Sequence, residues 1–294
     1  MQNLIVIVGP TASGKSTLGV RLAKKFKGEI ISADSRQTYK GMDIGSGKIR
    51  QKEMQSIPHH LLGVANPKRR FSVAQYQKLA LRAIRQIHAR GNLPLLVGGS
   101  PFYIYAVIDG IVIPKVKPDA KLRATLEKMS REQLYMRLQK LDPRRAQTIE
   151  KRNKRRLIRA LEIVMITGKP VPKLRKKKVP FEIIMLGIKK SPAELKKLIH
   201  NRLLWRLKAG MIAEVKKLHD SGVSWKRLEE FGLEYKFVAQ YLESKISKQE
   251  MIDSIEKEIL QFARRQMTWF KKDPRIKWIK NSTEAVDTVH DFLS

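Results

Sequence analysis

The stretch from residue 4 to residue 26 constrains the fold more than any other part of the chain. It reads LIVIV at 4–8, GPTASGKS at 9–16 and STLGVRLAKKF at 16–26. A continuous apolar, β-branched run is the signature of a strand buried on both faces. Leu18, Leu22 and Phe26 recur at i, i+4 and i+8, so the last segment presents one helical face. The piece between them matches G-x-x-x-x-G-K-[ST], and it lies where that pattern has meaning, between a strand and a helix. Its glycines let the backbone turn tightly enough for successive N–H groups to converge on one anion. The helix N-terminus adds partial positive charge. The phosphate-binding candidates are therefore Gly9, Pro10, Thr11, Ala12, Ser13, Gly14, Lys15 and Ser16. Lys15 supplies a full charge, and the Ser16 hydroxyl suits Mg²⁺. The pattern implies a diphosphate or triphosphate, ATP among them, without saying which.

Strand and helix signals continue to alternate. Ile30 and Ile31 begin a second strand that ends near Asp34, and Gly28 is expected to close the helix before it. Residues 74–90 carry an apolar stripe at helical spacing, with Ser72 as candidate N-cap and Gly91 just past the end. LPLLV at 93–97 is another buried strand, stopped by Gly98-Gly99. This alternation predicts an α/β fold with a P-loop NTPase-like parallel sheet core flanked by helices. From about Pro114 the pattern turns helical, and strand character returns at 181–188 (FEIIMLGI). The expected organisation is a core of residues 1–113 and 181–294 with a helical, basic insertion at 114–180 suited to a polyanionic partner.

Charge narrows the partners. The 294 residues carry 61 Lys+Arg against 27 Asp+Glu, a net charge of +34. That balance argues against cationic substrates and favours a polyanion. A hydrophobic fraction of 42% is too high for a disordered basic tail. Residues 144–178 alone hold 14 Lys/Arg and two Glu, for +12, and end in RKKK at 175–178. The absence of Cys excludes disulfides and thiolate metal sites. The apolar run near the start is too short for a signal segment, and no run approaches the roughly 18 residues of a membrane span. A soluble, cytoplasmic, monomeric protein without a membrane partner is expected.

A motor ATPase places an Mg²⁺-holding Asp at the end of a second buried strand. The strands at 93–97 and 183–188 end without a carboxylate, and only the second strand leads to one, Asp34. Ligands of parallel α/β folds bind at that strand edge. Asp34 therefore accepts from an incoming nucleophile or holds Mg²⁺ through water; its other reading is a turn cap, since Asp-Ser is a common cap pair.

GPTASGKS, ISADSRQTYKGMDIG at 31–45, IPHHLL at 57–62 and LLVGGSPFYI at 95–104 follow one another as in the tRNA dimethylallyltransferases. KLRATLE at 121–127, RRLIRALEI at 155–163, ITGKP at 166–170 and FARRQMTWFK at 262–271 extend the resemblance over nearly the whole chain. It implies transfer of a dimethylallyl group from dimethylallyl diphosphate to N6 of adenosine 37, in the anticodon stem-loop of tRNA, with Mg²⁺ as cofactor. Asp34 would then be the catalytic acceptor and Ser100 would stand where the family has a Thr beside the adenine. The resemblance also makes Asp34, Ser35, Arg36, Gln37, Ser100, Arg123, Arg155, Arg156, Leu157, Ile158 and Arg159 tRNA contacts.

The chain departs from the family at Gly45-Ser46-Gly47-Lys48, often G-T-A-K, and at Glu234-Tyr235-Lys236, where many members have G-Y-R. Lys236 keeps the charge there but not the guanidinium fork. Within Arg264-Arg265-Gln266 the resemblance suggests an inward basic residue near the diphosphate; a solvated helix face is the alternative. Trp269 and Phe270 read as core. His59-His60 lacks the spacing of a metal site. A P-loop small-molecule kinase, its lid supplied by the insertion, is the competing activity.

Overall fold

The computed structural model describes residues 2–294. The chain divides into two compact units, one made of the residues up to Gly110 together with Lys178–Ser294, the other of Ile111–Lys177.

In the first unit β1 (Asn3–Val8) leads into α1 (Lys15–Lys25), and β2 (Gly28–Ser32) follows. The short α2 (Gln51–Met54) and β3 (His59–His60) precede α3 (Val73–Ala89), β4 (Leu93–Val97) and α4 (Pro101–Ile108). The second unit holds β5 (Ile111–Val112), α5 (Ala120–Lys128), α6 (Arg131–Leu141), α7 (Pro143–Thr148), α8 (Lys154–Thr167) and β6 (Arg175–Lys176). The first unit then resumes with β7 (Glu182–Ile188), α9 (Pro192–Lys208), α10 (Met211–Asp220), α11 (Trp225–Phe231) and α12 (Leu233–Leu242). It ends with α13 (Lys248–Phe270), β8 (Ile276–Ile279) and α14 (Ser282–Leu293).

Six strands form one parallel sheet in the order β3-β2-β4-β1-β7-β8. β1 lies inside it, with Ile5 opposite Leu95 on one side and Ile184 on the other. Alternate residues of β1 feed two cores. Leu4, Val6 and Val8 join Tyr76, Ile84 and Ile104, while Ile5 and Ile7 join Leu18, Leu22 and Val289. From β1 the chain first builds outward to β2 and β3, and later to β7 and β8 on the opposite side. Strand order therefore reverses around β1, which opens a crevice at its C-terminal end. α9 to α13 form a third core around the fully buried Tyr235.

α3 starts where Ser72 and Gln75 cap each other reciprocally. Gly28, expected to close α1, instead opens β2. Phe26 caps α1, and any Cβ at position 28 would run into Leu95 across the ladder.

In the second unit four helix N-termini are capped by the side chains of Asp119, Ser130, Asp142 and Asn153. Each cap satisfies an orphan backbone N–H. Leu126, Leu134, Leu138, Leu157 and Leu161 form this unit's core. Leu157 and Ile158 are 0% and 6% exposed, which corrects their assignment as tRNA contacts: their side chains pack inward. The RKKK tract is partly ordered by pairing, since Arg175 and Lys176 lie antiparallel to Val112 and Ile111. Among the described residues, no helix is long and apolar enough to cross a membrane.

Glu29 on β2 is buried. Burial alone would raise its carboxyl, but hydrogen bonds from Arg90, Asn92 and His60 at 2.6–2.9 Å hold it down at about 2. A depressed carboxyl contributes stability above its unfolded pKa and loses it as pH falls through the folded value. Glu29→Gln is expected to lower unfolding free energy by about 2 kcal/mol at pH 7. In chemical denaturation the gap from wild type should narrow below pH 4.5, toward 2; a gap constant across that range would exclude the linkage.

Candidate active site

The phosphate loop follows β1 into the crevice where strand order reverses. Ala12 and Gly14 take φ of 61° and 90°, which turns the loop back on itself. Residues 11–17 line a cleft of about 1110 Å³. Gly9 and Pro10 are buried and outside the cleft lining, and the Lys15 ammonium donates to the Pro10 carbonyl at 2.5 Å. Burial lowers the Lys15 pKa to about 7; repulsion from Arg202 adds to the shift, and Asp34 opposes it. Burial, with repulsion from Arg206, likewise lowers Arg202 to about 10. Two cations held out of water against their preference make the cleft a site for an anion. The buried Ser13 Oγ has no hydrogen-bond partner.

Asp34 lines the same cleft, two residues beyond β2. Its Oδ1 accepts from the backbone N–H of Arg36 at 2.9 Å and of Gln37 at 3.3 Å. One carboxylate oxygen is thus the turn cap that the Asp-Ser pair suggested. Ser100 joins this turn from the end of β4: its Oγ accepts from Ser35 N–H at 3.0 Å, and its own N–H donates to the Ala33 carbonyl. The Gln37 amide also lines the cleft and donates to the Gly47 carbonyl at 3.3 Å. Arg36 points elsewhere, donating to the Phe231 carbonyl and lying over the Phe262 ring.

Two contributors, Arg202 and Glu214, escaped the sequence reading, and a third, Tyr235, entered it only inside a segment marked for its neighbours. Arg202 on α9 lines the cleft and donates to the Gly47 carbonyl at 2.9 Å. Glu214 on α10 accepts from the N–H groups of Asp43, Ile44 and Gly45 at 2.6–3.0 Å, pinning the loop after Asp34. Tyr235 completes the clamp by accepting from Ser46 N–H and donating to Glu214. The two segments that contain the chain's departures from the family therefore touch, through Gly45 and Tyr235, which themselves keep the family's residue types. A Cβ at Gly45 would lie 2.8 Å from the Tyr235 ring.

A scan against family models matches residues 37–273 to the IPP transferase family. The chain belongs to that family. It is 41% identical to the tRNA dimethylallyltransferase of Carboxydothermus hydrogenoformans, over 99% of this chain and 96% of that one. It is 42% identical to tRNA dimethylallyltransferase 1 of Syntrophus aciditrophicus, over 95% and 94%. Among solved structures it resembles the tRNA isopentenylpyrophosphate transferase of Bacillus halodurans, with TM-score 0.74 and 36% identity over 100% and 96% of the two chains. It also resembles a eukaryotic dimethylallyltransferase acting on tRNA, with TM-score 0.83 and 27% identity over 100% and 80%.

Other positions marked by the IPP transferase resemblance fall in different places. Gln266, not an arginine, is the inward residue of its triplet. Its amide accepts from Thr11 N–H at 2.8 Å and donates to the Gly99 carbonyl at 2.6 Å, so it ties the phosphate loop to the end of β4. Arg264 and Arg265 are exposed, and Arg265 pairs with Glu258. Helix geometry accounts for this, since neighbouring positions diverge by 100°. Lys236 lies over the Phe237 ring and away from the cleft lining. His60 pairs with Glu29, and His59 bonds the Ile57 carbonyl. Phe270 is core, but Trp269 is 45% exposed, against the core reading.

In the second unit Arg123 and Arg159 share the fully buried Glu162, at 2.7 Å and 2.5 Å. Arg155 and Arg156 are exposed, and Arg156 reaches Glu150.

An anion that restores charge to Lys15 must bring a proton with it. Diphosphate binding is expected to weaken as pH rises above about 7, with proton uptake visible by calorimetry in buffers of different ionisation enthalpy. Lys15→Met should remove that uptake. Equal uptake in both proteins would detach it from Lys15.

Proposed function

We propose that this IPP transferase family member transfers the dimethylallyl group of dimethylallyl diphosphate to N6 of adenosine 37 in tRNA, releasing diphosphate. The observation that carries the reading is the Asp34 carboxylate set in the same cleft as the phosphate loop. Relatives named tRNA dimethylallyltransferase over nearly the full length support it.

In the transfer the N6–C1 bond forms as the C1–O bond to diphosphate breaks. Charge grows on the leaving oxygen, and the loop N–H groups, Lys15 and Arg202 are placed to receive it. The adenine amine is a poor nucleophile because its lone pair is delocalised into the ring. Asp34 Oδ1 is occupied by its turn; Oδ2 has no protein partner and is the atom we assign to the N6 proton. Ser100 Oγ accepts from Ser35, so its O–H remains to donate to the adenine. Much of the acceleration then comes from fixed orientation. The base must leave its stack to reach the cleft, which costs less in a loop than in a duplex.

Mg²⁺ fits the oxygen donors present. Ser16 lines the cleft and would hold it, with Asp34 reaching it only through water, and among the described residues no cluster of three acidic or histidine side chains offers a full cage. Such an ion keeps mostly water and phosphate ligands, and it supplies neutralisation of the leaving diphosphate. The enzyme acts as a cytoplasmic monomer in this reading, and the insertion's exposed Arg155 and Arg156 contact the tRNA backbone.

Incubation with Mg²⁺, labelled dimethylallyl diphosphate and tRNA carrying A36-A37-A38 should yield prenylated adenosine; none from folded protein would reject the reading, and ATP turnover on a small acceptor would favour a kinase. Asp34→Asn should bind tRNA normally and lose about 100-fold or more in turnover. Near-normal turnover would remove Asp34 as proton acceptor. Replacing Arg155 and Arg156 by Ala should flatten the dependence of log Kd for tRNA on log salt by about 1 per lost phosphate contact. An unchanged slope would take both residues out of the interface.

A further inference from the structure

Phe102 and Trp269 leave aromatic faces in solvent, 54% and 45% exposed. Their ring centroids are 5.9 Å apart, edge to face, and Tyr105 lies 6.3 Å from Trp269. Core packing does not explain them. α13 turns Ile259, Ala263, Gln266 and Phe270 inward, which leaves Trp269 on the flank of that stripe, about 100° round from Phe270.

Both rings adjoin the active site through the chain. Phe102 stands two residues after Ser100, in the first turn of α4. Trp269 stands three residues after Gln266, the side chain that joins the phosphate loop to Gly99. The surroundings are cationic. Arg265, Trp269 and Lys272 recur at i, i+4 and i+7, on one side of the helix end. Nearby carboxylates are committed: Glu258 to Arg265, Asp109 and Asp273 to Arg275. Arg264, Lys271 and Lys272 make no ion pair among the described residues. Helical phase puts Arg264 and Lys271 on the other flank, so Lys272, whose N–H donates to the Trp269 carbonyl, is the uncommitted cation beside the rings. Flat apolar faces next to such a cation match the two faces of single-stranded nucleic acid, stacked bases and phosphates.

Extruding one nucleotide from a loop also uncovers the faces of its neighbours. We propose that Phe102 and Trp269 form a stacking platform for an unpaired base adjoining the target adenosine in the anticodon loop. The assignment rests on the prenyl-transfer reading above. The platform reads no sequence, because every base has a π face. It holds the loop open while Asp34 and Ser100 act on the extruded base.

The test uses the full-length enzyme and an anticodon stem-loop RNA, with binding measured by anisotropy at fixed salt. Trp269→Leu and Phe102→Leu keep apolar bulk and lose the flat face. Each should weaken RNA binding about ten-fold or more. Salt slope and inorganic diphosphate affinity should stay as in wild type, and Trp269→Phe should recover most of the loss. An abasic site beside the adenosine should weaken wild type to the level of Trp269→Leu and leave the variant unaffected. RNA binding unchanged in both leucine variants, or equal abasic losses in wild type and variant, would overturn the platform. So would self-association of wild type that Trp269→Leu abolishes without touching RNA affinity, since a second copy would then cover the patch. Prenylation of the same RNA is followed in parallel. Its absence in wild type rejects the transferase reading itself, whereas normal prenylation with an indifferent Trp269→Leu rejects the platform alone.

Discussion

The backbone of Leu4–Val8 has no water to bond, and the fold is organised around that constraint. Its polar groups must be satisfied by strands on both sides, so β4 and β7 flank it in parallel. Parallel pairing aligns the strand C-termini. The phosphate loop, the Asp34 turn and the Gly98-Gly99 turn therefore emerge at one sheet edge without further instruction. What remains is to hold these three turns in register. Gln266 ties the first to the third, and Ser100 ties the third to the second.

The site is built by opposing electrostatic preferences. Lys15 and Arg202 are both pushed toward neutrality by burial, although they belong to segments nearly two hundred residues apart. Neither is relieved by a buried carboxylate in direct contact. Glu162, held by two arginines, and Glu29, held by Arg90 with Asn92 and His60, show the other arrangement, in which a buried acid has its charge settled locally. The cleft is the place where charge is left unsettled, which is what a site for a dissociable anion requires.

The legible part of the sequence was the part whose information is local. A buried strand, a glycine turn and an amphipathic helix each announce themselves within a dozen residues, and the parallel α/β core followed from their alternation. The roles of Arg202, Glu214 and Tyr235 were invisible because their partners, Gly47, Asp43–Gly45 and Ser46, lie more than 150 residues away and are backbone groups that any residue type supplies. Gln266 was marked, but with its neighbours Arg264 and Arg265 it formed a triplet in which only helical phase decides which side chain faces in. Phase also separates Phe270 from Trp269, two aromatics that composition treats alike. Leu157 and Ile158 erred in the reverse direction: contact was assigned to a whole segment, although half of an amphipathic helix must serve its own core.

The clamp over residues 43–46 carries a consequence for how this chain can vary. The Tyr235 ring occupies the volume a side chain at position 45 would need, while its hydroxyl holds Ser46 and Glu214. Neither position is free to drift alone. Gly45 can gain a side chain only in a background where residue 235 has already given up its ring, and a smaller residue at 235 leaves Ser46 N–H and Glu214 each short of a partner. Positions 45 and 235 thus behave as one character written in two places: the chain departs from the family pattern beside each, at 46–47 and at 234 and 236, while the glycine and the ring that meet are left as the pattern has them.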